Sequence, residues 1–206
     1  MSDILNKYDE LTGKGKSTIE QICHRAAEIF SEKGYVSTTL VDISHTTGIS
    51  KGGIYHYFSS KEDLLFFIIN RFMTDLIDGL KEEIETIPPE ERIGYFIRRH
   101  IDKLSSNMHQ SKLTFHEAKS LPPKDWKILR KKKKEYYRIL VSAIESSQEE
   151  GAIGRRRLTI AAYSLLGMIN WILWWYNPKG PVSPHELSEE IHEIFMGKFF
   201  IKIKKG

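Results

Sequence analysis

Apolar residues recur along this chain at intervals of three and four, the spacing of a helix face, and nowhere alternate long enough to make a strand. Residues 1–16 are mostly polar and read as a flexible arm. Ser17 and Glu20 have the spacing of a capping box, and Ile19, Ile22, Cys23, Ala26, Ala27 and Phe30 then mark one face of a helix that stops at Gly34. Thr39 opens a short second helix with Leu40 and Ile43 inward. Gly48 makes a turn, and Ser50 opens a third helix with Ile54 and Phe58 inward. A capping box at Ser59 and Glu62 starts a long helix predicted to run to residue 85, with a stripe from Leu64 and Leu65 through Phe72 and Leu76 to Leu80 and Ile84. Pro88-Pro89 ends it. Further helices carry Ile93 to Leu104, Ser111 to Ser120, Trp126 to Ile144, and the tryptophan-rich segment after Gly154. Asn177-Pro178-Lys179-Gly180-Pro181 is a turn, and Ser183, Pro184 and Glu186 start a last helix. The pattern predicts an all-α fold of about nine helices: a three-helix domain over 17–60 and a larger helical bundle over 61–206.

The stretch TLVDISHTTGISKGGIYHYF, residues 39–58, places two short helices around a tight turn, a helix-turn-helix. A helix that enters the major groove brings its N-terminal backbone close to DNA, and Gly52 and Gly53 remove obstruction there. Ser50 caps that helix, whose free N–H groups suit phosphate. Lys51, Tyr55, His56 and Tyr57 can reach phosphates and base edges. Thr38 and Thr39 have hydroxyls suited to a flanking phosphate, and Lys61 can grip another. The plainer alternatives are that Tyr55, His56 and Tyr57 only pack a small bundle, and that Lys61 is a solvated surface lysine beside Glu62 and Asp63.

The segment from Thr18 to about Leu65 resembles the DNA-binding domain of TetR-type regulators. The residues that carry the resemblance are Ala26-Ala27 with Phe30, Lys33-Gly34-Tyr35, Thr38-Thr39, Asp42-Ile43, the run Gly48-Ile49-Ser50-Lys51-Gly52-Gly53-Ile54-Tyr55, Phe58, and Ser60-Lys61-Glu62-Asp63-Leu64-Leu65. It departs from the family pattern at Ser44, where alanine is common, in the run His45-Thr46-Thr47, and at His56-Tyr57, where the family often has tyrosine before histidine. The resemblance implies a ligand-responsive repressor: a helical C-terminal domain with an internal cavity, and a dimer built mainly from the last two helices that binds a near-palindromic double-stranded operator. The stretch from Asn170-Trp171 through Trp174-Trp175-Tyr176-Asn177-Pro178 to Ser183 resembles a subgroup that includes acyl-CoA-responsive regulators of lipid breakdown, which implies a fatty acyl-CoA effector. The alternative is control of efflux or another pathway by a different hydrophobic ligand.

Inward residues of the second domain supply pocket candidates: Phe72, Phe96, Met108, Phe115, Tyr136, Tyr137 and Trp171, each of which can equally be plain core. His100 lies on an apolar stripe and is either a ligand contact or a hydrogen-bonded core histidine. Asn170, inside an apolar run, can orient a ligand or bridge a dimer. In the basic run Arg130 to Lys134, helical spacing puts Lys133 on the stripe side with Arg130 one turn before it, so these two can anchor an anionic head group; a solvated face is the alternative. Trp174, Trp175, Ile191, Ile194 and Phe195 are the candidates for a two-fold interface.

Composition changes this picture little. A formal net charge of +4 permits nucleic-acid binding without requiring it. Cys23 is the only cysteine, which excludes an internal disulfide and a cysteine-rich zinc site and suits a small core residue. The eight histidines show no His-Glu-x-x-His and no zinc-ligand spacing, and the chain has no phosphate loop and no nucleophile elbow. The expectation is therefore no enzyme, no metal and no cofactor beyond an effector. A DNA recombinase, or a lipid binder that no longer reads DNA, are the competing classes. MSDILNKYDELTGKGK lacks the apolar core of a signal peptide, and Tyr163 to Tyr176 is shorter than a membrane span, so the expected location is the cytoplasm, with no membrane partner.

Overall fold

The structure, a computed structural model, describes residues 3–147 and 154–199. Eleven α-helices lie within them: α1 (Asp3–Glu10), α2 (Gly13–Glu32), α3 (Leu40–Thr47), α4 (Lys51–Tyr57), α5 (Lys61–Ile77), α6 (Leu80–Thr86), α7 (Arg92–Ser106), α8 (Met108–His116), α9 (Pro123–Ser146), α10 (Arg155–Trp175) and α11 (Pro184–Phe199). Two 3-10 turns, Pro89–Glu91 and Ala118–Ser120, complete the set, and there is no strand among the described residues. The chain forms two compact units, one of residues 1–75 with 109–131, the other of 76–108 with 132–206.

In the first unit, the buried residues of α2 are Ile19, Ile22, Ala26, Ala27 and Phe30, the stripe predicted from spacing except for Cys23, which is half-buried. Helix α2 starts at Gly13, however, so Ser17 lies inside it and caps nothing. Residues 3–10 are not a loose arm. They form α1, whose Ile4 and Tyr8, one turn apart, are buried. The Tyr8 hydroxyl donates to Glu20 at 3.1 Å and its ring lies 5.2 Å from that of Phe67. Helices α3 and α4 turn at Gly48, φ 70°, a left-handed conformation that a side chain would strain. The Ser44 hydroxyl donates across this turn to the Ile49 carbonyl at 2.6 Å, a use for the hydroxyl where the family often has alanine. Ile54 and Phe58 are both fully buried and anchor α4. The cap of α5 is shifted by one residue from expectation: Ser60 Oγ accepts from the Asp63 amide at 3.0 Å.

The second unit begins with a break that spacing conceals. Leu76, Leu80 and Ile84 keep a four-residue interval, yet Gly79 stands at φ 73° and splits the expected long helix into α5 and α6. Arg99 holds the break, donating to the Asp78 carbonyl and pairing with Glu83 at 2.8 Å. With α1, this split accounts for two helices beyond the expected nine. Helix α7 buries Ile93, Phe96, Ile97, His100, Ile101 and Leu104, and α11 packs along it, with His192 against the bare Cα of Gly94. The cap of α11 is as expected: Ser183 Oγ accepts from the Glu186 amide at 3.1 Å, and the Glu186 carboxylate accepts from the Ser183 amide at 3.2 Å. Helix α10, at 21 residues, is long and apolar enough to cross a bilayer by length and composition alone. Its apolar residues divide between a buried face, with Leu158, Ala161, Leu165, Ile169 and Ile172, and an outward one.

Candidate DNA-reading surface and effector core

The helix-turn-helix is assembled from its caps outward. Thr39 Oγ1 accepts from the Asp42 amide at 3.2 Å, while the Asp42 carboxylate accepts from the Thr39 amide at 2.7 Å. Hydrogen bonds from Thr39 and then the Lys33 ammonium at 2.9 Å hold the Asp42 carboxyl well below the usual carboxylate range. Ser50 Oγ accepts from the Gly53 amide at 3.1 Å and so fixes the first turn of α4. Lys51, Gly52, Tyr55 and His56 face outward on α4, Tyr55 being 47% exposed. Tyr57 is half-buried, edge-on to the His56 ring at 4.9 Å. The two glycines differ. Gly52 has open space around it, whereas a Cβ at Gly53 would meet Ile49 Cγ2 at 2.8 Å. Gly53 therefore serves close packing within the motif, not clearance for DNA.

Two residues expected on the DNA face are turned inward. Thr38 is buried, and its hydroxyl donates to the Gly34 carbonyl at 2.8 Å, leaving none for a phosphate. The Lys61 ammonium donates to the carbonyls of Tyr35, Val36 and Thr38 instead of reaching outward. A residue the sequence did not single out also matters. Lys7, on α1, donates to the His56 carbonyl at the end of α4, and its ammonium lies 5.7 Å from the Tyr57 ring centroid. Together with Ile4, Tyr55, Ser59, Asp63 and Lys124, these residues line a cleft of about 290 Å³. Nothing in a polar N-terminal segment signals such a contact.

In the second unit, His100 is buried between Tyr136 and Asn170. Its Nε2–H donates to the Asn170 side-chain oxygen at 3.0 Å, and its Nδ1 accepts the Tyr136 hydroxyl proton at 2.6 Å. Burial pushes the imidazole pKa down to about 4, against a smaller opposing pull from Asn170, so the ring is neutral, as this pairing requires. Burial pushes the Tyr136 phenol well up. The Phe96 ring lies 5.0 Å from that of Tyr136. His100 is thus a fully hydrogen-bonded core histidine. Tyr137 is half-buried and stacks at 5.0 Å on the exposed Tyr163. Lys133 is half-buried and its pKa is lowered by that burial, and Met108 is also half-buried. Of the candidates in the first unit, Phe72 is buried, Arg130 is exposed and Phe115 is 43% exposed, so Phe115 does not point inward as expected.

The outward face of α10 carries Trp171, Trp174 and Trp175, which are 61%, 50% and 58% exposed. Trp171 was a pocket candidate; it stacks instead on Trp174, with ring centroids 5.3 Å apart and planes within 5°. On α11, Ile194 is exposed beside them in type, but Ile191 and Phe195 are buried within the chain and are not available to a partner. Packing against their own fold uses the side that spacing had assigned to a two-fold interface. No cluster of three or more metal-ligating side chains occurs among the described residues.

Residues 86–199 match the family described as the tetracyclin repressor-like C-terminal domain, and residues 22–67 match the bacterial regulatory proteins of the tetR family. The chain belongs to the TetR family. It is a helix-turn-helix transcriptional repressor, not an enzyme, and the second match takes in α3, α4 and the start of α5. The HTH-type transcriptional repressor KstR2 of Mycobacterium tuberculosis is 23% identical over 92% of this chain and 96% of that protein. The fatty acid metabolism regulator protein of Bacillus subtilis is 31% identical over 42% of this chain and 45% of its own. Among solved structures, AibR in complex with isovaleryl coenzyme A and operator DNA superposes with a TM-score of 0.75 at 26% identity, covering 86% of this chain and 97% of that one. Within a TetR-family regulator, the exposed side chains of α4 become the candidates for reading bases, while Thr38, Lys61 and Lys7 become candidates for holding the reading helix in place.

Proposed function

We propose that this TetR-family protein is a cytoplasmic homodimer that represses lipid-degradation genes from a near-palindromic operator and is released by a fatty acyl-CoA. The observation that carries the effector class is the likeness to AibR, whose structure holds an acyl-coenzyme A together with operator DNA. The name of the Bacillus subtilis relative, a fatty acid metabolism regulator, agrees with it. On this reading Tyr55 and His56 read base edges, and Ser50, Lys51 and the Gly52 backbone meet phosphates, while Thr39, whose hydroxyl donates to the Asp42 carboxylate at 2.7 Å, serves the cap of α3. Phe96, Tyr136 and Tyr137 contribute apolar surface for the acyl tail. Lys133, a cation already half out of water, suits a phosphate of the coenzyme. Trp171, Trp174 and Trp175 make an apolar face on α10 of the kind that a second copy covers, and Ile194 on α11 is a further exposed apolar side chain.

Release requires that the ligand prefer a state that binds DNA poorly, and operator must then weaken ligand binding by the same factor. Each buried methylene contributes at most about 0.8 kcal/mol, so affinity should climb with acyl length until no further methylene is buried. The test is a titration of acyl-CoAs of increasing length against the protein bound to a labelled duplex. Release that strengthens with length supports the proposal. If no acyl-CoA releases the duplex or binds the free protein, the effector assignment fails and another hydrophobic ligand takes its place.

A further inference from the structure

Lys61 opens α5, and its ammonium is spent inside the protein. Nζ donates to the carbonyl oxygens of Tyr35 at 2.8 Å, Val36 at 3.2 Å and Thr38 at 2.9 Å. That uses all three of its protons. The same charge lies 4.4 Å from the centroid of the Tyr35 ring. These carbonyls belong to the turn between α2 and α3, and Thr39, the cap of α3, follows directly. The turn is closed from other sides as well. The Tyr35 hydroxyl donates to Glu62 at 3.2 Å, its ring meets Phe30 edge-on at 5.1 Å, and the buried Thr38 hydroxyl returns to the Gly34 carbonyl at 2.8 Å.

We propose that Lys61 is a positioning residue for DNA reading: it pins the α2–α3 turn, and through it the direction in which the α3–α4 pair leaves α2, without touching a phosphate. To reach DNA the ammonium would have to give up three hydrogen bonds and the face of an aromatic ring. A phosphate offers it no more acceptors than it already has. The hydrogen bonds made by a reading helix weaken steeply as their angles open, so a turn that loses its cation loses affinity at a distance. The proposal rests on the reading of α3–α4 as the pair that enters DNA.

The probe is a duplex that the wild-type protein itself selects from a random pool, with a scrambled duplex of the same composition as the non-specific reference. Affinity for both is measured across salt for wild type, Lys61→Met and Lys61→Arg. Methionine removes the charge. Arginine keeps it, but its planar fork does not converge on three carbonyls as an ammonium does. Both variants should lose roughly tenfold on the selected duplex and little on the scrambled one, the size of a lost charge-assisted hydrogen bond. The slope of log K against log salt should stay at the wild-type value, and amide exchange over residues 35–42 should quicken. A phosphate contact would give the opposite: Lys61→Met would flatten the slope by about 0.9 and weaken both duplexes alike, while Lys61→Arg bound as wild type. That result overturns the proposal, as does faster exchange with no loss of affinity for the selected duplex. If Lys61→Met does not fold, Lys61→Arg decides alone. If wild type selects no duplex, the reading of α3–α4 itself fails and the proposal falls with it; the other adverse outcomes sink the proposal only.

Discussion

His100 makes the stability of this protein fall with acid in a window set by its burial. Its pKa is about 4 in the folded protein against an ordinary 6.5, so the folded state refuses a proton that the unfolded chain accepts. Above pH 6.5 neither state is protonated and nothing is lost. As pH falls from 6.5 towards 4 the unfolded chain takes up its proton and gains stability relative to the fold, and below 4 the loss is complete. The full interval corresponds to about 3 kcal/mol, and at pH 4.5 most of it, about 2.5 kcal/mol, is already gone. A protonated ring would also turn Nδ1 into a donor toward the Tyr136 hydroxyl, reversing the hydrogen bond described above and taking away the acceptor of the Tyr136 proton. The assay is urea unfolding of wild type and His100→Gln at pH 7, 6, 5 and 4.5. Other titrating groups are common to both proteins and cancel in the difference. The variant should be the less stable at pH 7, where His100 is neutral and bonded on both sides. The gap should narrow by about 2–3 kcal/mol by pH 4.5. Parallel pH profiles would refute the reasoning, because they would mean that His100 takes up its proton equally in both states.

Tyr55→Ala or His56→Ala should cost about 1–3 kcal/mol of specific DNA affinity and relax sequence preference at one base position, with thermal unfolding unchanged; selection from a random pool by each variant measures this. Gly53→Ala should destabilise the protein by about 1 kcal/mol through its clash with Ile49, whereas Gly52→Ala, in open space, should stabilise α4 by about 0.5–1 kcal/mol, and thermal denaturation of the two variants separates them. Trp174→Glu should shift the protein from dimer to monomer in sedimentation, at a cost of about 2 kcal/mol or more, while its helical circular dichroism is retained.

Helix faces were legible because burial repeats with the helix period, as in α2 and α7. The breaks were less so. Leu76, Leu80 and Ile84 keep their interval across Gly79, and periodicity is blind to a left-handed residue that restarts a helix in phase. Helix α1 escaped because one pair, Ile4 and Tyr8, carries its packing. At the candidate site the caps Thr39 and Ser50 could be read from residue type and position, since capping is local. Lys61 and Thr38 could not. The partners of Lys61 lie 23 to 26 residues away on a turn whose carbonyls converge only once the fold is made. Ile191 and Phe195 show the same limit. Spacing identifies the apolar side of α11, but only packing tells whether that side meets α7 of its own chain or a second copy.

The central claim, that α3 and α4 of two related copies read DNA together, is tested most directly by selecting duplexes from a random pool with the wild-type protein and footprinting the winners. The account predicts a near-palindrome protected as two half-sites whose centres lie about one helical turn, roughly 34–36 Å, or a multiple of it apart. Binding by a monomer to a single half-site, or no enrichment of any sequence, would contradict it.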